Sequence, residues 1–146
     1  MPRLLVVHHT PSPALQAVLD AVREGVALVD GVELTVRPAL SAGAADVLAA
    51  DGVLLGTPAN IGYMSGALKH FFDTVFYPCL DATVGLPYGV YVHGNDDTAG
   101  ALTSVQRITG ALRWTQVAAP LGLTGAPGPA DLEACRELAA TVAVSL

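Results

Sequence analysis

Three short polar stretches hold the residue types that can do chemistry in this chain. The first is His9-Thr10-Pro11-Ser12-Pro13-Ala14-Leu15-Gln16, which follows an apolar run and sets two hydroxyls beside the free N–H groups of a helix start. Such an arrangement receives a phosphate, although Pro11 and Pro13 each remove one N–H donor. The second is the glycine-punctuated stretch from Gly56 through Thr57, Pro58, Ala59, Asn60, Ile61 and Gly62 to Met64. The third, His93-Gly94-Asn95-Asp96-Asp97-Thr98, places a glycine that permits close backbone approach among polar side chains at another helix start. Asp96 and Asp97 also complement a helix dipole with no ligand present. His8, His9, His93, Asp96 and Asp97 can crowd one edge of a sheet, but their spacing matches no metal-ligand motif, so no metal is expected.

The elements that must carry these stretches follow from the hydrophobic pattern. Leu4-Leu5-Val6-Val7 is a continuous apolar run, the mark of a strand buried on both faces. Ser12 and Pro13 read as an N-cap with proline at the first helical position, followed by Leu15, Val18, Leu19 and Val22 at helical spacing and a helix running to about Gly31. A strand is expected over Val32 to Val36, a short helix over Ala44 to Ala50, and a third strand over Gly52 to Leu55, ending at Gly56-Thr57-Pro58. Leu68, Phe71, Phe72 and Val75 recur at i, i+3, i+4 and i+7, the stripe of an amphipathic helix. Tyr88 to Val92 reads as a strand, Thr98 to Leu112 as a helix, Val117 to Leu123 as a strand and Ala130 to Val142 as the closing helix. Strands alternating with helices in short steps make an open parallel sheet covered on both faces, because a parallel crossover needs a helix to return the chain. Ligands of such sheets sit at the carboxyl ends of the strands, where all three polar stretches fall.

Composition narrows the function classes. With 7 basic against 13 acidic residues the formal charge is −6 over 146 residues, and no run of consecutive Lys or Arg exists. Nucleic acid and anionic membrane surfaces are therefore not expected partners. The longest stretches without a charged residue, Gly52–Leu68 and Trp114–Ala130, have 17 residues each and are broken by Pro and Gly, so no membrane span is expected. Only four apolar residues separate Arg3 from His8, too few for a secretory signal, and a cytoplasmic location is expected. Cys79 and Cys135 form no CxxC and are expected to be free, buried thiols.

The middle segment, Gly56-Thr57-Pro58-Ala59-Asn60-Ile61-Gly62-Tyr63-Met64-Ser65-Gly66-Ala67-Leu68-Lys69-His70-Phe71-Phe72-Asp73, resembles the flavodoxin-like NAD(P)H:quinone oxidoreductase and FMN reductase superfamily. The resemblance lies in Gly56-Thr57-Pro58, Gly62-x-Met64, the small pair Ser65-Gly66, Lys69 and Phe71-x-Asp73, all in one register. It is sharp from Gly56 to Asp73 and extends along the chain in element order. It implies a single flavodoxin-like domain over residues 1–146: an α/β, doubly wound, five-stranded parallel sheet of order 2-1-3-4-5 with helices on both faces. It also implies FMN as cofactor. The phosphate would lie at Thr10, Ser12, Pro13, Ala14 and Leu15. The ring would lie on Thr57, Pro58, Ala59, Asn60, Ile61 and Gly62 and along His93, Gly94, Asn95, Asp96, Asp97 and Thr98. The activity implied is hydride acceptance from NAD(P)H and electron delivery to a quinone, free flavin or other small acceptor, with no catalytic side chain needed. A flavodoxin-type electron carrier and a flavin-free interaction domain of the same fold are the alternatives. Tyr63 is the sole aromatic residue of the three stretches. A homodimer is therefore expected to complete the ring site, with Phe76-Tyr77-Pro78 as the candidate contact.

Overall fold

A computed structural model describes residues 1–146. The chain runs β1 (Arg3–His8), α1 (Pro13–Ala27), β2 (Glu33–Pro38), α2 (Ala44–Leu48), β3 (Gly52–Asn60), β4 (Tyr63–Met64), α3 (Gly66–Cys79), β5 (Pro87–Gly94), α4 (Ala99–Ala111), β6 (Thr115–Gln116), β7 (Leu121–Thr124) and α5 (Pro129–Val144). The sheet has the order β2-β1-β3-β5-β6, with β7 continuing the edge beside β5 and β4 folded back antiparallel on β3. Setting aside the hairpin strand β4 and counting β6 and β7 as two pieces of one edge strand, the order is the expected 2-1-3-4-5, a doubly wound flavodoxin-like sheet. No helix is long and apolar enough to cross a membrane.

The apolar runs of the strands are continuous because alternate residues feed two separate cores. Leu5, Val7, Val53, Leu55, Val90 and Val92 face α2, α3 and α4, where Phe71, Phe72, Val75 and Trp114 pack. Leu4, Val6, Leu54 and Tyr91 point the other way, onto Val18 and Val22 of α1 and Ala139 and Val142 of α5. The two free cysteines are divided between these cores, Cys79 in the first and Cys135 in the second.

Three departures from the sequence expectation have local causes. β3 runs on past Gly56 to Asn60. Pro58 is tolerated within it because β1 pairs no further than Gly56, which leaves the proline's donor-less edge without a neighbour. The expected strand over Val117 to Leu123 is split. Five steps of chain from Gln116 to Leu121 oppose three steps of β5 from Tyr88 to Tyr91, so two residues are extruded around Pro120, which cannot donate to a ladder. The β3–β4 hairpin was not anticipated, because its two-residue turn, Ile61-Gly62, lacks the usual Asn-Gly or Asp-Gly signal.

Candidate functional site

The first polar stretch joins β1 to α1. Ser12 has extended backbone and its Oγ accepts from the Leu15 N–H at 3.2 Å, with Pro13 opening the helix, as the sequence predicts. The N–H groups of Thr10, Ser12 and Ala14 bond to nothing in the protein. They are the donors left at the helix start after Pro11 and Pro13 have removed theirs. Leu15 is buried and its N–H is taken by Ser12, so it belongs to the frame of the loop rather than to its open face. His8 Nδ1 lies 2.7 Å from Thr10 Oγ1. His9 has its Nδ1 buried without a partner, while its N–H donates to the Gly56 carbonyl at 3.0 Å and ties this loop to β3.

The second stretch forms the top of β3 and the hairpin into β4. Thr57 is fully buried, and its hydroxyl donates to the Pro58 carbonyl (2.8 Å) while accepting from the Ser65 N–H (3.0 Å). Thr57 thus fixes the start of α3, where Ser65 Oγ caps Leu68, and presents no free hydroxyl. Asn60, Ile61, Gly62 and Tyr63 are exposed, and Ile61 and Gly62 have φ of 52° and 70°. Two successive left-handed residues are the pattern of a type I′ turn. A β-branched residue seldom adopts that conformation, so Ile61 is held under strain at the tip while fully exposed.

The third stretch links β5 to α4. His93 Nε2 lies 2.7 Å from the Gly125 carbonyl, which can only accept, so the proton is on Nε2 and the imidazole spans to the loop after β7. Asp97 Oδ1 accepts from the Ala99 N–H at 2.8 Å, the capping role expected of an acidic residue there. Asn95 and Asp96 are exposed.

Close backbone approach holds the second and third stretches together. A β-carbon on Gly94 would lie 3.1 Å from both the Ala59 Cβ and the Asp97 carbonyl oxygen. Gly100, in the first turn of α4, has no room for one at all against the Gly62 carbonyl. Ser104, one turn further on, accepts from the Met64 N–H at 3.1 Å. Neither Gly100 nor Ser104 was found by sequence reasoning; the signal for Gly100 was a glycine in the first turn of a helix that has no use for one. No group of three or more His, Cys, Asp or Glu side chains converges as a metal site would require.

A cleft of ≈ 310 Å³ opens beside the first stretch, lined by His8, His9, Thr10, Gln16, Leu40 and Ala67 among others. Leu40, Ile61 and Tyr63 are exposed apolar side chains at this end of the sheet. The site therefore offers unpartnered N–H groups at the first stretch and, at the same end of the sheet, the exposed main chain of Asn60 to Gly62 and of Asn95 and Asp96 with apolar side chains nearby. A flat heteroaromatic ring bearing a phosphate tail has those two requirements, and the residues present fit such a group.

Comparison with known proteins gives the family and the fold. The sequence profile described as NADPH-dependent FMN reductase matches residues 28–124. A flavodoxin of Aquifex aeolicus is 35% identical over 75 residues, covering 51% of this chain and 40% of that protein. An NAD(P)H dehydrogenase (quinone) of Acidithiobacillus ferrooxidans is 28% identical over 93 residues, covering 50% of this chain and 46% of that protein. The matches therefore span less than half the length of these curated relatives. Among solved structures, a flavodoxin from the domain Archaea superposes with a TM-score of 0.86 over 98% of this chain and 97% of its own, at 17% identity, a likeness of fold.

Proposed function

Because the chain belongs to the NADPH-dependent FMN reductase family, we propose that it is an FMN-binding oxidoreductase that accepts hydride from NAD(P)H and passes electrons to a quinone, free flavin or other small acceptor. The observation that carries this reading is the convergence of three loops at the carboxyl ends of β1, β3 and β5, locked by Gly94 on Ala59 and Gly100 on Gly62. Bound FMN supplies the hydride and electron chemistry; the protein supplies grip, orientation and field.

In this reading the N–H groups of Thr10, Ser12 and Ala14, with the hydroxyls of Thr10 and Ser12, receive the phosphate. Thr57 and Pro58 are buried and support the ring site from beneath, while Ala59 to Gly62 and His93 to Thr98 offer main-chain groups to its edges. The unpartnered N–H groups of Ile61 and Gly62 are positioned to donate. Asp96 and Asp97 place negative charge next to the third loop and so disfavour further negative charge on whatever lies against it. A cytoplasmic setting is part of the same reading.

The proposal extends to a homodimer. Tyr77 is 81% exposed and stacks edge-on against Phe76 at 5.2 Å. Beside it a groove of ≈ 240 Å³ between α3 and α4 is lined by Phe72, Phe76 and Ile108, with Arg107 at its rim. Arg107 forms no ion pair within the chain, and the other bank carries Asp73, already paired with Lys69, so in a facing pair of copies Arg107 can join that ion pair at the rim of an apolar centre. Tyr77 lies eleven residues along α3 from Gly66, about 17 Å at helical rise. In this reading the contact at the far end of α3 joins the two copies.

The deciding measurement is the visible spectrum of the purified protein, before and after addition of FMN and then of NADH or NADPH. Flavin uptake followed by bleaching with either nicotinamide supports the reductase. Uptake with inertness to both nicotinamides supports the electron carrier, the second reading favoured by the flavodoxin relative. Failure to take up FMN overturns both.

A further inference from the structure

His8 ends β1, is half-buried, and has its Nδ1 2.7 Å from the hydroxyl of Thr10. The pair can be wired in two ways. If Thr10 donates to Nδ1, its oxygen shows only lone pairs to a ligand. If Nδ1–H donates to Oγ1, the hydroxyl proton is released and points outward. An anion with no proton of its own can be received only by the second arrangement.

The surroundings make the choice matter. Residues 9–16 contain no Lys or Arg, and two of the loop's N–H donors are lost to proline. The Thr10 hydroxyl is thus one of a small number of donors, and its direction is set by a neighbour in the same strand end. Burial above all, and then His9 and Arg23, lowers the pKa of His8. The ring is therefore neutral near pH 7 and holds a single proton, which must be placed on one nitrogen or the other.

We propose that His8 is a positioning residue for the phosphate site: its Nδ1–H donates to Thr10 Oγ1 and turns the Thr10 hydroxyl proton toward the ligand. The inference rests on the phosphate assignment made above. It assigns His8 no contact with the ligand, so everything His8 contributes passes through Thr10.

The test is a double-mutant cycle of His8→Ala and Thr10→Val, with His8→Asn as the rescue variant, because an Asn amide nitrogen can occupy the Nδ1 position. Binding of FMN and of riboflavin is measured by flavin fluorescence quenching above neutral pH. His8→Ala should weaken FMN about tenfold, the loss of one hydrogen bond acting on a charged group, and leave riboflavin unchanged. His8→Asn should recover most of the loss. On the Thr10→Val background, His8→Ala should cost nothing further. Nitrogen NMR of the unmodified protein with FMN bound should show His8 protonated at Nδ1, a readout that stands even where His8→Ala does not fold.

Equal losses for FMN and riboflavin, additive losses in the cycle, or a proton on Nε2 would overturn the proposal. A wild-type protein that binds FMN no more tightly than riboflavin, with Thr10→Val silent, overturns the phosphate assignment and this inference with it. If Thr10→Val is costly while His8→Ala is silent, the assignment survives and only the role of His8 fails.

Discussion

Gly100 packs so closely on the carbonyl oxygen of Gly62 that a β-carbon on Gly100 has no space. The first turn of α4 is therefore a backstop for the β3–β4 hairpin, and the third loop is coupled to the second through main chain alone. Gly100→Ala should push the hairpin tip outward and weaken FMN binding at least tenfold, about 1.4 kcal/mol. In the same helix Gly110 faces open space and its φ is not positive. Gly110→Ala should leave FMN binding unchanged and raise stability by about 0.5 kcal/mol through reduced freedom of the unfolded chain. Flavin titration and chemical denaturation of the two variants check both; equal flavin binding by Gly100→Ala and wild type would remove the backstop.

Ile61 holds a left-handed conformation at the exposed tip of the same hairpin. Asn is at ease there, so Ile61→Asn should stabilise the fold by about 1 kcal/mol. It should also lower FMN affinity, because an apolar side chain beside the proposed ring is exchanged for a polar one. A variant more stable than wild type and equally good at binding FMN would show that Ile61 has no part in the site.

The apolar runs at Leu4–Val7 and Val53–Leu55 announced strands buried twice over, and Ser12-Pro13 announced a helix start, because each is dictated by local chemistry. The three site stretches were legible as polar, glycine-bearing ends of such strands. What escaped was whatever depends on contacts distant in sequence. Gly100 on Gly62 and Ser104 under Met64 are tertiary relations with no periodicity to betray them. The partners of the Thr57 hydroxyl, Pro58 and Ser65, are likewise invisible in the Gly-Thr-Pro spacing that brought Thr57 into the expected ring site. The Ile61-Gly62 turn was hidden because packing on α4 imposes a backbone that the isoleucine does not favour.

The lowered pKa of His8 has a consequence for stability. Burial, followed by His9 and Arg23, makes the folded protein a poorer proton acceptor at this position than the unfolded chain, whose His titrates at about 6.5. The unfolded state therefore binds more protons between the two values, and stability falls as pH drops through that window. Above about pH 6.5 both states are neutral at His8 and the contribution vanishes. Urea denaturation at stepped pH should show a shallower acid loss in His8→Asn than in wild type; identical slopes would mean that His8 is not held neutral by the fold.

Tyr77 is the test of the homodimer. A carboxylate placed at the centre of an apolar contact must be desolvated without a partner. Tyr77→Asp should therefore shift light scattering from dimer to monomer, with FMN affinity unchanged because α3 carries this residue away from the site. A wild-type protein that is monomeric at high concentration with flavin bound would end the dimer proposal.

Ser12 is assigned two tasks that one substitution can separate. Its Oγ accepts from the Leu15 N–H, and its own N–H, with those of Thr10 and Ala14, bonds to nothing in the protein and is the proposed phosphate receptor. Aspartate caps helices as well as serine and favours the positive end of the helix dipole, so Ser12→Asp should keep or slightly raise thermal stability. It should at the same time place a carboxylate among the donors and against a phosphate carrying nearly two negative charges. FMN affinity should then fall by at least tenfold, about 1.4 kcal/mol. Salt should soften the loss without abolishing it, since the loop is partly enclosed by the wall of His8 and His9. Riboflavin, with no phosphate to repel, should bind wild type and variant alike. If Ser12→Asp melts like wild type and still prefers FMN strongly over riboflavin, the phosphate lies elsewhere, and the start of α1 is a helix cap and nothing more.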